Sequence, residues 1–241
     1  RVTYGLTGLP PLPSGADSHA KNFAYEQVID DLLVSHAYGE HWGRHWLDVV
    51  RFGESRGYER NEIINTLWPF RDYVIRSFNA DKPFDKLVRE HLAGDLATED
   101  TDSQIGSAFL VAGPSDSVKN EDAAQAAQIR ANAVDEVIRT TSEAFLGLTF
   151  GCARCHDHKF DPILQSDYYR LYTTFAGVKQ GEREVATTAQ RQEHKAKTAP
   201  LAKKLGELKK QHEAIAAAAL ARGEAQAEAL ESRWTRDPPK R

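Results

Sequence analysis

The 241-residue sequence contains no methionine and only two cysteines. A complete gene product starts with Met, whereas this chain opens Arg1-Val2-Thr3-Tyr4, so it reads as a mature, cut or trimmed chain. An export signal would have been lost with the start, and its absence excludes no compartment. Two cysteines cannot build the dense disulfide framework of a small secreted scaffold. Neither sign of charge is in excess: 31 Lys and Arg stand against 35 Asp and Glu, a net charge of -4 with a pI near 6.2. That balance excludes a global basic field of the kind that draws a protein to nucleic acid. Every apolar run falls well short of the roughly 20 residues of a membrane helix, so no transmembrane segment is expected. No strand alternation and no internal repeat stand out. What is present is ordinary globular usage, 41% hydrophobic and 27% charged, in a chain long enough for one large or two small domains.

Apolar residues recur at helical spacing along most of the chain. Residues 1–20, rich in Pro and Gly, are expected to be extended. From Tyr25 onward Val28, Leu32 and Leu33 face one way. Gly39 is expected to separate that helix from one over 40–52, whose apolar face is Trp42, Trp46, Val49 and Val50. On it His41 and His45 stand one turn apart. Residues 53–66 read as a polar loop. Pro69 and Pro83 suit the first turns of helices ending near Phe78 and Gly94. Residues 95–103 are acidic and loop-like, and 105–112 form a short apolar piece before a Gly-Pro-Ser turn. One long helix is predicted over 120–147, with Ile129, Val134, Val137, Ile138, Phe145 and Leu146 inward and Gly147 and Gly151 bracketing its end. An aromatic-rich helix follows over 167–178.

After Lys179 the composition shifts to Ala, Glu, Lys, Gln and Arg. Leu201, Leu205, Leu208 and Ile215 approximate an a/d stripe with His212 in the slot between, and Gly223 is a candidate turn between two helices. The expected architecture is mostly α: an irregular helical domain over 1–180, then a helical arm or coiled-coil hairpin over 181–241 leading into further domains. A coiled-coil partner is a candidate along 190–234.

Both cysteines fall in one motif, Gly151-Cys152-Ala153-Arg154-Cys155-His156. Cys-x-x-Cys-His is the pattern of c-type haem attachment. Two thiols must reach two vinyl groups on one edge of the porphyrin, and the adjoining His156 must turn its imidazole under the iron as proximal ligand. Other readings stay open. A thioredoxin-like dithiol needs a βαβ context that the pattern lacks. A zinc site would use both cysteines with His156 or His158 and a remote ligand, because four ligands within seven residues would strain a tetrahedron. A disulfide would close a very tight loop. For a haem, the absence of methionine excludes the thioether that often serves as second axial ligand.

The run from Cys152 to Ile163, Cys-Ala-Arg-Cys-His-Asp-His-Lys-Phe-Asp-Pro-Ile, resembles the signature of the planctomycete cytochrome-c-type domain family. So do Tyr38-Gly-Glu-His-Trp-Gly-Arg-His-Trp-Leu-Asp48 and the stretch from Trp68-Pro-Phe-Arg-Asp-Tyr-Val-Ile75 through Asn79-Ala-Asp-Lys-Pro-Phe-Asp85 to Ala93-Gly-Asp95. The opening Leu6-Thr-Gly-Leu-Pro-Pro11 is similar to the family's start. The likeness covers residues 3–178 and leaves out the arm. It implies a domain of a large exported polypeptide, beside a small cytochrome c domain and a second uncharacterised one, with genes neighbouring those for sulfatases and polysaccharide degradation. A periplasmic or cell-envelope redox role is implied, with a redox partner protein or adjoining cytochrome domain. No particular reaction is.

For the iron's sixth position His158 is too close to His156 to pass around the macrocycle. His45 is the distal candidate, with Trp42, Trp46 and Arg44 as pocket walls and His41 one turn away. The alternative is a core histidine bonded to Asp48 or a backbone carbonyl. With His45 bound the site would be bis-His and suited to electron transfer; with it free the site would be open, as peroxidases require. Asp157, His158 and Asp161 either hydrogen-bond a propionate or ligand, hold a second metal, or stabilise a turn before Pro162. Arg44, Arg51, Arg71 and Lys159 are candidates for propionate pairing, each also an ordinary surface ion-pair residue. Tyr168 and Tyr169 read as core or interface aromatics, with electron relay as the alternative.

The leading expectation is a mono-haem c-type cytochrome domain carrying electrons in the periplasm or cell envelope, within a larger oxidoreductase linked to polysaccharide metabolism. The alternatives are a peroxidase-like or oxidase-like haem enzyme with an open sixth site, and a zinc-stabilised structural or interaction module.

Overall fold

A computed structural model describes residues 1–11, 25–58, 60–96, 100–116 and 121–236, with side chains through 233. The chain divides into two units, Arg1–Val185 and Ala186–Arg241. In the first, the described residues form α1 (Val2–Thr7), α2 (Tyr25–Leu33), α3 (His36–Val49), α4 (Trp68–Asn79), α5 (Phe84–Ala93), α6 (Thr101–Gly106), α7 (Ala123–Leu146) and α8 (Gln165–Phe175). Short 3-10 segments cover Gly94–Leu96, Ser107–Val111 and Phe150–Arg154. The described residues contain no strand, only an isolated bridge between Ser55 and Ile63. The fold is mostly α, as the periodicity predicts.

Local chemistry sets most boundaries. Ser35 caps α3, its Oγ accepting the Ala37 N–H at 3.3 Å. Asp100 and Asp122 cap α6 and α7 in the same way. Pro69 occupies the first turn of α4, and Gly147, at φ 64°, closes α7 in the left-handed conformation.

Three expectations are corrected. The opening residues are not all extended: Val2–Thr7 is a helix, closed by Gly8 at φ 68° and packed on α3, while 12–20 lie outside the described residues. Residues 101–103 belong to α6 rather than to a loop. Gly39 lies inside α3, and the break comes earlier, at Val34 and Ser35. Packing explains the last case. A Cβ at Gly39 would stand 2.5 Å from the Asn79 side chain and the Ile75 carbonyl, and one at Gly43 would stand 3.3 Å from Ile75. Asn79 Oδ1 accepts the Gly39 N–H at 2.8 Å. These two glycines, one turn apart, let α3 approach α4 closely; neither ends a helix.

Two apolar clusters hold the unit together. One gathers Val50, Phe70, Tyr73, Val74, Leu87, Phe109 and Ala112, with Trp46 and Phe145 packed against it. The other gathers Val134, Val137, Ile138, Phe150, Ala153, Ile163, Tyr168 and Phe175. The second joins α7, α8 and the segment that carries both cysteines. Leu146, expected inward, is exposed, and so are Trp42 and Val49.

Among the described residues the second unit is a single helix, α9 (Thr188–Arg236), running on the order of 70 Å. The hairpin alternative is not adopted. Gly223 sits within the helix, where its cost of about 1 kcal/mol is small beside the helix preference of the surrounding alanines. Pro200 is also internal, although it removes one helical hydrogen bond. Leu201, Leu205, Leu208 and Ile215 are each more than half exposed. No helix among the described residues is long and apolar enough to cross a membrane.

Candidate functional site

The cysteine motif begins at Gly151, five residues after the end of α7. Phe150 and Ala153 anchor its 3-10 turn in the second cluster. Cys152, Cys155 and His156 stay exposed, and both thiols are free. The N–H groups of Cys155 and His156 both donate to the Cys152 carbonyl, at 3.3 and 3.4 Å, drawing the motif into one tight turn.

Beneath the turn lies a buried carboxylate that sequence reasoning did not single out. Asp135 of α7 is 7% exposed. It accepts Tyr168 O–H at 2.6 Å and Arg139 Nε–H at 2.7 Å, and Arg154 Nη1 lies 3.3 Å away. Arg154, inside the motif, also donates to Asn132 at 2.9 Å. Its carbonyl accepts Tyr169 O–H at 3.2 Å. Burial first, then the bond to Asp135, pushes the Tyr168 phenol well above the usual tyrosine range. Tyr168 and Tyr169 therefore tie the motif to α7 and α8.

His156 Nδ1 lies 2.7 Å from the Asp157 carbonyl. A carbonyl only accepts, so Nδ1 carries the proton and the Nε2 lone pair is left for a ligand. Metal-binding histidines use this same arrangement, the second ring nitrogen donating to a carbonyl. The Asp157 carboxylate accepts the Gln165 N–H at 2.8 Å at the head of α8. His158 is occupied differently. Its Nδ1 accepts the Asp161 N–H at 2.9 Å, and its backbone N–H donates to the Ile163 carbonyl at 2.8 Å. Asp157, His158 and Asp161 thus organise the turn between the motif and α8. Lys159 is exposed, its ammonium 5.2 Å from the Phe160 ring centroid.

His45 belongs to another place in the unit. Its ring meets His41 edge-on at 5.0 Å and Trp42 at 5.5 Å. Tyr38, Trp42, His45 and Trp46 line a cavity of about 410 Å³ bounded by α3, α4 and α5. Trp42, His45 and Trp46 are therefore brought together, whereas the cysteine motif packs on α7 and α8. Arg44 is exposed on α3 and does not line the cavity. Loss of hydration, then the charges of His45 and Arg44, holds His41 below the usual histidine range. Arg51 pairs with Glu136 and Glu143 of α7, and Arg71 with Glu54 and Asp72, so both guanidinium groups are already engaged.

A second buried polar group also went unnoticed in the sequence. His91 of α5 is fully buried, and its Nε2 accepts the Trp46 Nε1–H at 3.1 Å. Burial drives its pKa down to about 3, with the Leu87 carbonyl opposing. The neighbouring Glu90, 4% exposed, accepts both Tyr73 O–H and Lys82 Nζ at 2.5 Å through one oxygen. The available signal was positional. Leu87, Glu90 and His91 share the inward stripe of an amphipathic helix, two of its slots being filled by polar side chains.

Residues 1–180 match the model of a family described as "Protein of unknown function (DUF1549)". No curated protein and no solved structure matches the chain.

Proposed function

The chain belongs to that family, PSCyt2, and on that premise we propose that it is a mono-haem c-type domain that carries electrons. The observation that carries the reading is the state of His156: Nδ1 held by the Asp157 carbonyl, Nε2 free, and two exposed thiols on the same turn. The residues fit the group. Cys152 and Cys155 would hold the porphyrin, and His156 would ligate the iron. A haem bound there supplies a one-electron couple. The chain's own residues fix the turn: Arg154 reaches Asp135 below, and Asp157 joins the imidazole to the head of α8. An exposed motif suits exchange with a partner protein or an adjoining haem domain. Haem attachment of this type takes place on the exported side of a membrane, which favours a periplasmic or envelope setting. The resemblance to polysaccharide-linked polypeptides favours a larger oxidoreductase as the context.

The test is maturation of the chain with the c-type haem machinery. A Soret band and a c-type pyridine haemochrome are expected, and Cys152→Ala with Cys155→Ala should abolish the covalent link. No Soret band overturns the proposal, and stoichiometric zinc in its place would establish the structural-module alternative. A spectral change with cyanide or carbon monoxide identifies an open sixth site. A His45→Ala variant that stays six-coordinate and low-spin excludes His45 as the ligand.

A further inference from the structure

The cavity beside His45 has the size and lining of a small-molecule site. At about 410 Å³ it falls within the usual range for such pockets. Its aromatic walls are Tyr38, Trp42, Trp46, Phe78 and Phe84, with the His45 imidazole beside them. The Tyr38 and Trp42 rings are tilted by 45°, so they present faces in different directions. Trp46 is locked by its bond to His91 and packs on Phe145, as Phe84 does. Trp46 and Phe84 are thus held in place before any ligand arrives.

The charge of the lining decides what fits. Lys82 is one cation in it, but its ammonium lies 2.5 Å from Glu90 and 4.3 Å from the Tyr73 ring centroid. Glu90 is buried, so the Lys82 charge is already answered from the protein side. Asp81, next in line, also borders the cavity and forms no ion pair among the described residues. Its backbone sits at φ 45°, a left-handed conformation that Asp tolerates better than most residues. Ser77, 4% exposed, adds a hydroxyl with no hydrogen bond of ordinary geometry. Aromatic faces attract cations through their quadrupole, and a carboxylate at the lip adds to that attraction.

We propose that this cavity binds an alkylated organic ammonium ion, its head among Tyr38, Trp42, Trp46 and Phe84 and its charge facing Asp81. The cavity is lined by neither cysteine and is present without haem.

The experiment titrates the full chain with choline and with dimethylbutanol, its uncharged isostere, following tryptophan fluorescence and calorimetry. Trp42 and Trp46 both line the cavity and report occupancy. Choline should bind about tenfold more tightly than the isostere. Trp42→Leu should abolish that preference; Trp42 is 38% exposed, so the variant keeps the fold, which circular dichroism checks. Asp81→Asn, which tolerates the same backbone conformation, should weaken choline several-fold and leave the isostere unchanged. Equal binding of the two probes, binding of neither, or an unaltered preference in both variants overturns the proposal.

Discussion

Lowering the pH from 8 to 5 should destabilise the first unit through His91. Its unfolded pKa is near 6.5, and in the folded chain burial holds it at about 3. Between those values the unfolded chain takes up a proton that the folded chain refuses, so stability falls as the pH falls. The contribution is fully present above 6.5 and is lost progressively below it. Each pH unit below 6.5 costs about 1.4 kcal/mol, so roughly 1.5 units, down to pH 5, cost about 2 kcal/mol. A variant isolates the contribution of His91. His91→Gln keeps an acceptor for the Trp46 indole N–H and removes the titration. Urea unfolding followed by tryptophan fluorescence reads the first unit, because Trp46 is bonded to His91 there. The stability difference between pH 8 and pH 5 should be smaller in His91→Gln by about 2 kcal/mol. If the two proteins lose stability equally on acidification, the reasoning fails.

Two other perturbations test the buried polar groups. Glu90→Gln leaves the Lys82 ammonium, 13% exposed, without its partner, and should cost about 3 kcal/mol or more in the same urea assay. Combining it with Lys82→Met should recover much of the loss; no recovery would show that the ion pair is not the cause. Tyr168→Phe removes one short bond to Asp135 without changing the packed ring, and should cost about 1.5–3 kcal/mol. In Asp135→Asn the same tyrosine substitution should cost measurably less, and equal costs in a double-mutant cycle would refute the pairing.

Much of this chain is legible one segment at a time. Caps and breakers act over a few residues, so Pro69 opening α4, the long helix ending at Gly147 and the alanine-rich arm follow from local chemistry. The cysteine motif is likewise a matter of spacing. Gly39 shows where local reading stops: glycine weakens an isolated helix, yet here it sits inside one because α4 approaches too closely for any Cβ. No single segment carries that information. The polar residues of α5 make the same point, since a glutamate and a histidine on a helix give no sign of whether water or protein will meet them.

The sequence by itself determined that the chain is helical and that two thiols and a histidine share one turn, because both depend on neighbours three or four residues away. Only the tertiary structure decided which nitrogen of His156 is free and that Asp135 underlies the turn. The tertiary structure also decided that His45 faces a cavity built by α3, α4 and α5, while the cysteines ride on α7 and α8. Burial and hydrogen-bond partners come from residues distant in the chain, and they become fixed only when the helices pack.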